Sequence, residues 1–428
     1  MKIAFFTDSF LPNVNGVSFA VETFAKELAD KHKVEIYAPA CGEKSSSERN
    51  GNITVKKFHS VPIPTYKQQQ IAFPVLATFI KTVEKFDPDV IHIHTPGTLG
   101  LLGILMAKRM HKPLVGTYHT LISETLMYAS PRLLFDKYLQ MIDRVIEGLG
   151  IDVKILRSGF KNRKDEEPET IPQKVVWSLV NRVYGYADVV LCPSEAIKKE
   201  LVKRGMKTRV EVLSNGLDLK AFPCKKDYGA GRRMLHVGRI SFEKNIDEVI
   251  KAAAKVMEKV PDAKLIIAGD GPAAGNLNNL VNSLGIAESV TFLGMVKRQQ
   301  LSNYYRNCEV FITASTMETQ GLVVLEAMSS GLPIVAVKKY ALAELVHHGQ
   351  NGYLVKSGDT EGMSMGIIKL LLEPEVQKQM GQASRKMAES HALEKVIPRL
   401  EQIYSELNRT DRKTWTGNLK TRLETWLS

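Results

Sequence analysis

Short apolar runs that alternate with helical segments constrain the fold of this chain more than any other feature. In the first half, five runs have the length and composition of buried strands, and segments with apolar residues at helical spacing separate them. This alternation predicts a parallel sheet with helices on both faces. The runs are residues 2–6, 34–38, 90–93, 114–117 and 189–192.

The same pattern restarts in the second half, which predicts a second domain of the same kind. Between the halves, Asn215-Gly216 and the stretch containing Pro223, Gly229 and Gly231 have neither period and indicate a linker. We therefore expect an α/β protein with two doubly wound Rossmann-like domains whose sheets face each other across a cleft. The predicted strands of the second half are residues 234–237, 264–268, 289–293, 310–314 and 333–337.

The predicted first domain covers residues 1–216 and the second covers residues 217–390. A helical pattern at 393–407 belongs to the final segment, 391–428, which we expect to return to the first domain. Residues 128–174 depart from the alternation, because helical spacing there gives way to a run of mixed charges. We interpret that segment as a helical excursion with a solvated loop.

The composition is that of a soluble protein with more than one core. The chain has 428 residues, of which 44% are hydrophobic and 24% are charged. No apolar stretch reaches the roughly 18 residues that span a bilayer, and the first strand runs into polar Thr7-Asp8 rather than a signal-peptide core. We expect a cytoplasmic protein. Four cysteines occur singly, without the spacing of a zinc site or a disulfide framework, and should be reduced thiols.

A formal charge of +12 and a pI near 9.3 indicate an anionic partner. Nothing in the sequence resembles a zinc finger, a basic zipper or an aromatic RNA-binding strand pair, so we predict no nucleic-acid partner. An anionic membrane surface or a diphosphate fits the charge better.

Two cations follow the first predicted strand of the second half. In the sequence His236-Val-Gly-Arg239, and then Glu243-Lys244, Arg239 and Lys244 share one loop with the flexible Gly238. Arginine offers a planar fork for phosphate oxygens and lysine a mobile point charge, so the pair can neutralise a leaving nucleoside diphosphate without a metal. Solvated surface cations are the alternative interpretation.

Two carboxylates, Glu318 and Glu326, flank a glycine turn further along the second half. Glu318 should lie in a loop and Glu326 in the following helix, where both can accept hydrogen bonds from sugar and ribose hydroxyls of one extended ligand. Backbone N–H groups near Gly321 begin that helix and can hold a phosphate. The alternative is a glutamate that interacts with the helix dipole plus an unrelated surface glutamate.

Weaker signals come from Gly269-Asp-Gly271-Pro272 and from Thr117-Tyr-His119-Thr120. Gly271 allows close backbone approach, but many doubly wound proteins turn in this way. A histidine placed like His119 is more often structural than catalytic. His92 and His94 share one strand face, yet no third ligand has a recognisable spacing, and we predict no metal site.

Taken together, these motifs make the chain resemble glycosyltransferase family 4, the retaining enzymes of the GT-B fold, over nearly its whole length. The motifs occur in the family's order. They are the Asn15-Gly16 loop, His119, the Ser214-Asn-Gly-Leu-Asp218 strand, Arg239 with Lys244, the Gly269 to Pro272 turn, and the paired Glu318 and Glu326.

The resemblance implies a role for each motif in binding a nucleotide-sugar donor. Gly16, next to Asn15, would let the first loop approach the donor diphosphate, which Arg239 and Lys244 would bind. The remaining implied contacts are Glu326 with the ribose, Glu318 with the sugar hydroxyls, backbone groups of Gln320, Gly321 and Leu322 with sugar and phosphate, Gly294, Met295 and Val296 with the base, and His119 with the sugar near the reacting carbon.

No residue has the pattern of a dedicated general base, which suits the mechanism that the resemblance implies. The acceptor would attack on the face that the diphosphate leaves, a donor phosphate oxygen would take the proton, and no cofactor or metal would be needed.

Within the family, residues 94–96, 117–120 and 318–328 look like the branch that glucosylates diacylglycerol, so the resemblance implies UDP-glucose as donor and a lipid acceptor. After Thr120 the chain departs from the branch pattern. Transfer to a soluble glycan or small molecule is the alternative, and a non-catalytic nucleotide-binding protein is the remaining one. An epimerase of similar fold would need further acid and base residues.

Membrane contact has separate support in the sequence. Residues 75–86 are apolar at helical spacing and carry Lys81 and Lys85, and residues 132–164 mix cations with large apolar side chains. Such faces can lie on anionic lipid. Packing of the same stripes on the protein's own sheet is the alternative.

Overall fold

A computed structural model describes residues 1–13, 15–42, 44–63, 66–119, 171–229 and 231–409. Two compact units account for these residues. The first contains residues 1–192 and 198–213 and the end of the chain from residue 397, and the second contains residues 193–197 and 214–396. Most of the predicted helical excursion, from 128 to 170, lies outside the described residues, as does the 132–164 stretch.

The first unit is built on an eight-stranded sheet whose order is β10-β9-β8-β7-β1-β2-β4-β3. Every neighbouring pair is parallel except β3 with β4. Strands β5 and β6 form a separate antiparallel hairpin. The strands are β1 Lys2–Phe6, β2 Lys33–Pro39, β3 Ser46–Asn50, β4 Ile53–Phe58, β5 Ser60–Ile63, β6 Tyr66–Ala72, β7 Val90–Ile93, β8 Leu114–Thr117, β9 Val189–Cys192 and β10 Val210–Val212.

Helices connect the parallel strands of the first unit. All four residues are buried in each of β7, β8 and β9, which explains why these strands are continuous apolar runs without alternation. The helices are α1 Gly16–Leu28, α2 Leu76–Phe86, α3 Thr98–Met110, α4 Ile171–Gly185, α5 Glu195–Lys203 and, at the end of the described chain, α13 Leu393–Arg409.

The second unit has a six-stranded, wholly parallel sheet with the order β13-β12-β11-β14-β15-β16. Its strands are β11 Arg233–Val237, β12 Lys264–Ala268, β13 Val290–Phe292, β14 Val310–Thr313, β15 Ile334–Val337 and β16 Gly352–Val355. Its helices are α6 Ile246–Lys259, α7 Ala274–Ser283, α8 Arg298–Asn307, α9 Leu322–Ser329, α10 Leu342–Leu345, α11 Thr360–Leu372 and α12 Pro374–Ala388.

In each sheet, successive strands are first added toward one edge of the sheet and then, after a single reversal, toward the other edge. In the first unit this switch point lies between β1 and β7, and in the second it lies between β11 and β14. Ligands of doubly wound sheets bind at such points, beyond the carboxyl ends of the strands, because the loops there diverge and leave a crevice. The loops after these four strands are therefore where each unit can bind a ligand.

The predicted α/β fold is confirmed, and all ten predicted strands are present with small differences at their ends. Part of residues 75–86 packs on the protein itself, because Phe79 and Val83 of helix α2 are fully buried in the core. The large apolar residues that are exposed in this segment lie at or just before the start of α2, with Phe73 at 52%, Val75 at 73% and Leu76 at 50%. The described part of the chain contains no helix that is both long and apolar enough to cross a membrane.

Candidate functional site

Lys244 and Glu318 meet across the switch point of the second unit. Lys244 ends a short 3₁₀ turn, Phe242–Lys244, in the loop after β11, and Glu318 lies in the loop after β14. The Nζ atom of Lys244 is 2.5 Å from Oε1 of Glu318 and 3.4 Å from the hydroxyl of Ser315. The sequence placed these residues on separate loops, and the fold brings them together.

The charge of Lys244 keeps Glu318 ionised. Burial raises the pKa of the Glu318 carboxyl, but the ammonium of Lys244 and hydrogen bonds from Lys244 and Ser315 outweigh burial and leave the pKa below its ordinary value. The pair therefore presents a carboxylate and an ammonium side by side. The carboxylate can accept hydrogen bonds from hydroxyls, and the ammonium can contact an anion.

Arg239 and Gly238 lie in the same loop as Lys244, directly after β11. Arg239 is partly buried, and Gly238 has a φ of +156°. A side chain at Gly238 would meet only the ring nitrogen Nε2 of His236, at 3.7 Å from the new Cβ. The glycine thus leaves open space at the switch point.

Backbone hydrogen bonds join the loops that follow β11, β12 and β13. The amide of Gly269 donates to the carbonyl of Gly294 over 2.9 Å, and the amide of Ile240 donates to the carbonyl of Asp270 over 3.0 Å. A Cβ at Gly269 would lie 1.8 Å from the carbonyl oxygen of Gly238, and one at Gly271 would lie 2.2 Å from that of Ile240. Glycine is required here because the neighbouring loop passes so close.

Pro272 lies just outside helix α7. Helix α7 begins only at Ala274, so Pro272 lies in the turn that precedes the helix rather than in its first turn. The chain stays in a turn because the amide of Ala273 donates to the carbonyl of Ile240. Beyond β13, Met295 is 72% exposed and Val296 packs partly against the core.

Glu326 is a buried residue of α9 rather than a surface glutamate. Its side chain is 4% exposed, Nη2 of Arg298 is 2.6 Å from Oε1, and the hydroxyl of Tyr305 donates to Oε2 over 2.9 Å. Burial raises the pKa of Glu326, against the opposing effects of Arg298 and Tyr305. Sequence reasoning missed both partners, since they lie 28 and 21 residues upstream with no motif that links them to the glutamate.

Gln320, Gly321 and Leu322 form the entry to α9. Gly321 is the N-cap with a φ of +77°, which favours glycine, and Leu322 is the first helical residue. The side chain of Gln320 is buried: Oε1 accepts from the amide of Asn215 over 3.0 Å and Nε2 donates to the hydroxyl of Ser214 over 2.5 Å. With its side chain engaged in this way, Gln320 can offer a ligand only backbone groups.

In the first unit, Asn15 caps helix α1. Its side-chain oxygen accepts from the amides of Val17 and Ser18, each at 3.0 Å, and its amide nitrogen donates to the hydroxyl of Ser9. Gly16 is the first helical residue. Asn15 and Gly16 therefore lie beyond the carboxyl end of β1, beside the switch point.

His119 follows β8 and belongs to a chain of buried histidines. Its Nε2 is 3.1 Å from Nδ1 of His94, and the rings of His94 and His92 stack with centroids 4.0 Å apart. His92 also contacts the hydroxyls of Tyr404 and Thr117, each at 2.6 Å. Burial, followed by the neighbouring imidazoles, lowers the pKa of both His92 and His94, so these rings are neutral. No group of three or more metal-binding side chains is arranged for a metal in the described ranges.

Asp8 is a further buried residue at this edge that sequence reasoning did not single out. Its carboxylate accepts from the hydroxyl of Thr95 at 2.6 Å, the hydroxyl of Thr98 at 3.0 Å and the amide of Leu99 at 2.8 Å. It therefore joins the end of β1 to the start of α3 across the switch point. Its polarity after an apolar strand was the only available signal.

Two doubly wound units of this kind are the architecture of the GT-B glycosyltransferases. Comparison with known families agrees. Residues 14–221 match the family described as Glycosyltransferase Family 4, and residues 225–387 match Glycosyl transferases group 1. The chain thus combines a Glycosyltransferase Family 4 domain with a Glycosyl transferases group 1 domain, and it is a glycosyltransferase that acts on nucleotide sugars.

Curated relatives carry several activities. The alpha-monoglucosyldiacylglycerol synthase of Streptococcus pneumoniae is 29% identical over 78% of this chain and 71% of its own length. The synthase of the same name from Acholeplasma laidlawii is 26% identical over 95% of this chain and 97% of its own length. A GDP-mannose-dependent alpha-mannosyltransferase of Mycobacterium tuberculosis is 25% identical over 84% of this chain and 85% of its own length.

Solved structures confirm the fold. Anabaena HepE in complex with UDP superposes with a TM-score of 0.69 at 20% identity, covering 95% of this chain and all of its own. Sucrose-phosphate synthase from Thermosynechococcus elongatus gives a TM-score of 0.71 at 18% identity, covering 96% of this chain and all of its own.

Proposed function

We propose that this protein transfers glucose from UDP-glucose to diacylglycerol with retention of the anomeric configuration, making a membrane glycolipid. The observation that carries the proposal is the Lys244–Glu318 pair at the switch point, where a diphosphate binder and a hydroxyl binder lie in contact. Relatives named as glucosyldiacylglycerol synthases support the choice of sugar and acceptor.

Neutralisation of the leaving diphosphate is the step that this site supports best. Lys244 contacts the donor phosphates together with Arg239 from the same loop, and the two cations stabilise the charge that grows as the sugar–phosphate bond breaks. Glu318 accepts hydrogen bonds from hydroxyls of the sugar, and Glu326 accepts them from the ribose. His119 is a further proposed sugar contact.

Retention follows if the acceptor hydroxyl attacks on the face that the diphosphate leaves. A phosphate oxygen of the departing UDP then takes the proton from the attacking hydroxyl, so no side chain serves as general base. The proposed mechanism needs no metal ion or other cofactor. We accordingly expect product formation to persist in excess EDTA.

One experiment tests donor, acceptor and stereochemistry together. Purified protein is incubated with a panel of nucleotide sugars, and diacylglycerol vesicles are compared with a soluble glycan and with malate, the acceptor named for a relative from Bacillus anthracis. We expect transfer from UDP-glucose to diacylglycerol and a product with the α configuration by NMR. Transfer only to a soluble acceptor, or a β product, would contradict the proposal.

A membrane-bound acceptor requires contact with the lipid surface, and Phe73, Val75 and Leu76 are the described residues best suited to it. They are consecutive large apolar residues, apart from Pro74, with at least half of each side chain exposed. Insertion of such side chains beside cations binds proteins to anionic lipid. We propose that the protein works at the cytoplasmic face of the membrane through this exposed segment.

Flotation with anionic vesicles tests the membrane contact. The triple substitution Phe73→Ser, Val75→Ser and Leu76→Ser should reduce vesicle binding about tenfold or more. Burial of each of these side chains in lipid contributes at most about 1.5–3 kcal/mol, and serine does not supply it. Leu372→Ser is the matched control, since Leu372 is also 52% exposed but lies in the second unit. Equal binding by the triple variant and the control would remove this segment from the proposal.

A further inference from the structure

His236 is a buried histidine that has one ring nitrogen without a partner among the described residues. It is 2% exposed, and its Nδ1 atom lies 2.9 Å from the carbonyl oxygen of Ile312, while Nε2 has no hydrogen bond. A carbonyl only accepts, so Nδ1 carries the proton and Nε2 presents a lone pair. An unsatisfied buried acceptor is costly and calls for an explanation.

The lone pair of Nε2 borders the space that Gly238 leaves open. His236 is the fourth residue of β11, and Gly238 directly follows the strand. Nε2 lies 3.7 Å from the position of a Cβ on Gly238, and no other atom beyond the glycine's chain neighbours comes within 4 Å of that position. The open space at the switch point thus has a hydrogen-bond acceptor on its wall.

This imidazole is neutral at physiological pH. The pKa of His236 is lowered to about 4, chiefly by burial and also by the charge of Lys244, against the opposing effects of the Ile312 carbonyl and Glu318. These effects also show that Lys244 and Glu318 are close enough to influence the ring. His236 therefore adds an uncharged acceptor to a site that already holds an ammonium and a carboxylate.

The chemistry of a neutral acceptor restricts its ligand. Nε2 has no proton to donate, so an ionised phosphate, which only accepts, is no partner for it. A hydroxyl is a suitable partner. The nearest hydroxyl-bearing part of a nucleotide-sugar donor is the group that Glu318 is placed to bind.

We propose that His236 is a sugar-binding residue whose Nε2 accepts a hydrogen bond from a hydroxyl of the transferred hexose, beside Glu318. The inference rests on the proposed function, since it assumes a hexosyl donor. A contact from His236 would come from strand β11 itself, in addition to the donor contacts proposed for the loops after β11 and β14. The acceptor's own hydroxyl and a buried water are the other possible partners, and the test separates them.

Two substitutions of His236 test the roles of its two ring nitrogens separately. His236→Asn places an amide nitrogen near the position of Nδ1, keeping the bond to Ile312, and removes the acceptor at Nε2. His236→Gln places an amide near Nε2 and keeps an acceptor there. Titration calorimetry without any acceptor substrate then measures UDP and UDP-glucose separately.

We expect His236→Asn to bind UDP as the wild type does and UDP-glucose about three- to tenfold more weakly, the effect of one neutral hydrogen bond. His236→Gln should recover most of the loss. Deoxy analogues of UDP-glucose identify the hydroxyl, because the analogue that lacks it should bind wild type and His236→Asn equally. Thermal unfolding shows whether each variant is folded.

Three results would overturn the inference. They are an equal loss of UDP and UDP-glucose affinity, no change in either, or a change confined to the KM of the acceptor. A buried water as partner gives the second result. Failure of the proposed function has a different signature, because the wild type itself would then transfer no glucose from UDP-glucose to diacylglycerol.

Discussion

The guanidinium of Arg298 and the carboxylate of Glu326 form an ion pair in which Nη2 and Oε1 are 2.6 Å apart. The same guanidinium lies over the ring of Phe222, with its central carbon 5.2 Å from the ring centroid. Arg298 is thus fixed on one side by an aromatic ring and on the other by the residue proposed to bind the ribose. A carboxylate oxygen has room for a second hydrogen bond, so Glu326 can keep Arg298 and still accept from a hydroxyl.

Removal of Arg298 should make nucleotide binding sensitive to pH. Burial already raises the pKa of Glu326, and Arg298→Leu removes the charge that opposes it, so the pKa of the carboxyl should rise further. A protonated carboxyl loses acceptor capacity for the ribose. We expect the Kd of UDP to rise more steeply in the variant than in the wild type as the pH falls from 8 to 6.

Calorimetry across that pH range checks the result. Arg306→Leu is the matched control, because Arg306 lies in the same helix, α8, and contacts only the exposed Asn303 in the described contacts. A variant that binds UDP equally at both pH values would show that Arg298 does not keep Glu326 charged.

Lys244→Met should abolish sugar transfer with little loss of fold. Loss of one preorganised charge at a developing diphosphate costs about 10²–10³ in kcat, and the lysine side chain is only partly buried. Lys255→Met is the control, since Lys255 also pairs with a glutamate, Glu361, but on the exposed surface of α6. Turnover within tenfold of wild type in Lys244→Met, with circular dichroism unchanged, would contradict the proposed role.

The Lys244–Glu318 pair also has a defined pH dependence. The folded pKa of Glu318 is depressed below 4.5, so the pair stabilises the protein above that pH, and the contribution is lost as the pH falls through the folded pKa. Urea unfolding of Glu318→Gln at pH 7 and at pH 4 should therefore show a smaller difference from wild type at the lower pH. An equal difference at both values would exclude this contribution.

Gly269→Ala and Gly275→Ala should have opposite effects. A Cβ at Gly269 would lie 1.8 Å from the Gly238 carbonyl oxygen, and the φ of +148° is unfavourable for alanine, so we expect a loss of about 3 kcal/mol or more in unfolding free energy. Gly275 is in helix α7 with nothing within 4 Å of a new Cβ, and alanine there should gain about 0.5–1 kcal/mol. Urea denaturation measures both.

His391 should make the protein less stable in acid. Burial lowers its folded pKa to about 4, and its Nδ1 lies 3.0 Å from the Ser214 hydroxyl. The unfolded chain, with a pKa near 6.5, binds the proton first as the pH falls. Stability from this residue is therefore complete above about pH 6.5 and declines toward pH 4, by about 2 kcal/mol at pH 5. His391→Gln should flatten that part of the pH profile by the same amount, and an unchanged slope would refute the assignment.

The buried strands could be predicted from sequence because each is a continuous apolar run. Strands β3 and β4 were not predicted, because neither is a continuous apolar run. Residues 46–50 are all exposed and polar, and residues 53–58 are only half-buried, so neither has the signature of a core strand. Their pairing depends on the edge of the sheet formed by β2, which a local pattern does not contain.

The same limit applies to the site: residues that follow a strand could be predicted, whereas contacts between residues far apart in the sequence could not. Gly238, Lys244 and Glu318 could be predicted because each follows a recognisable strand, and parallel strands end at one edge of a sheet. The contact of Arg298 with Glu326 and the unpaired nitrogen of His236 depend on how helices and loops fold back, and no spacing along the chain encodes them. The sequence therefore predicted the members of the site better than their partners.

The backbone hydrogen bonds between the loops after β11, β12 and β13 fix the shape of this edge of the sheet independently of its side chains. Amides and carbonyls hold Gly238, Ile240, Gly269 and Gly294 in register, so the shape of this edge does not depend on the exposed side chain of Met295. Side chains at such positions can change without altering the backbone of the proposed diphosphate site. Single substitutions at these positions can therefore change the preference for base or sugar, while the hydrogen-bonded backbone of the three loops stays the same.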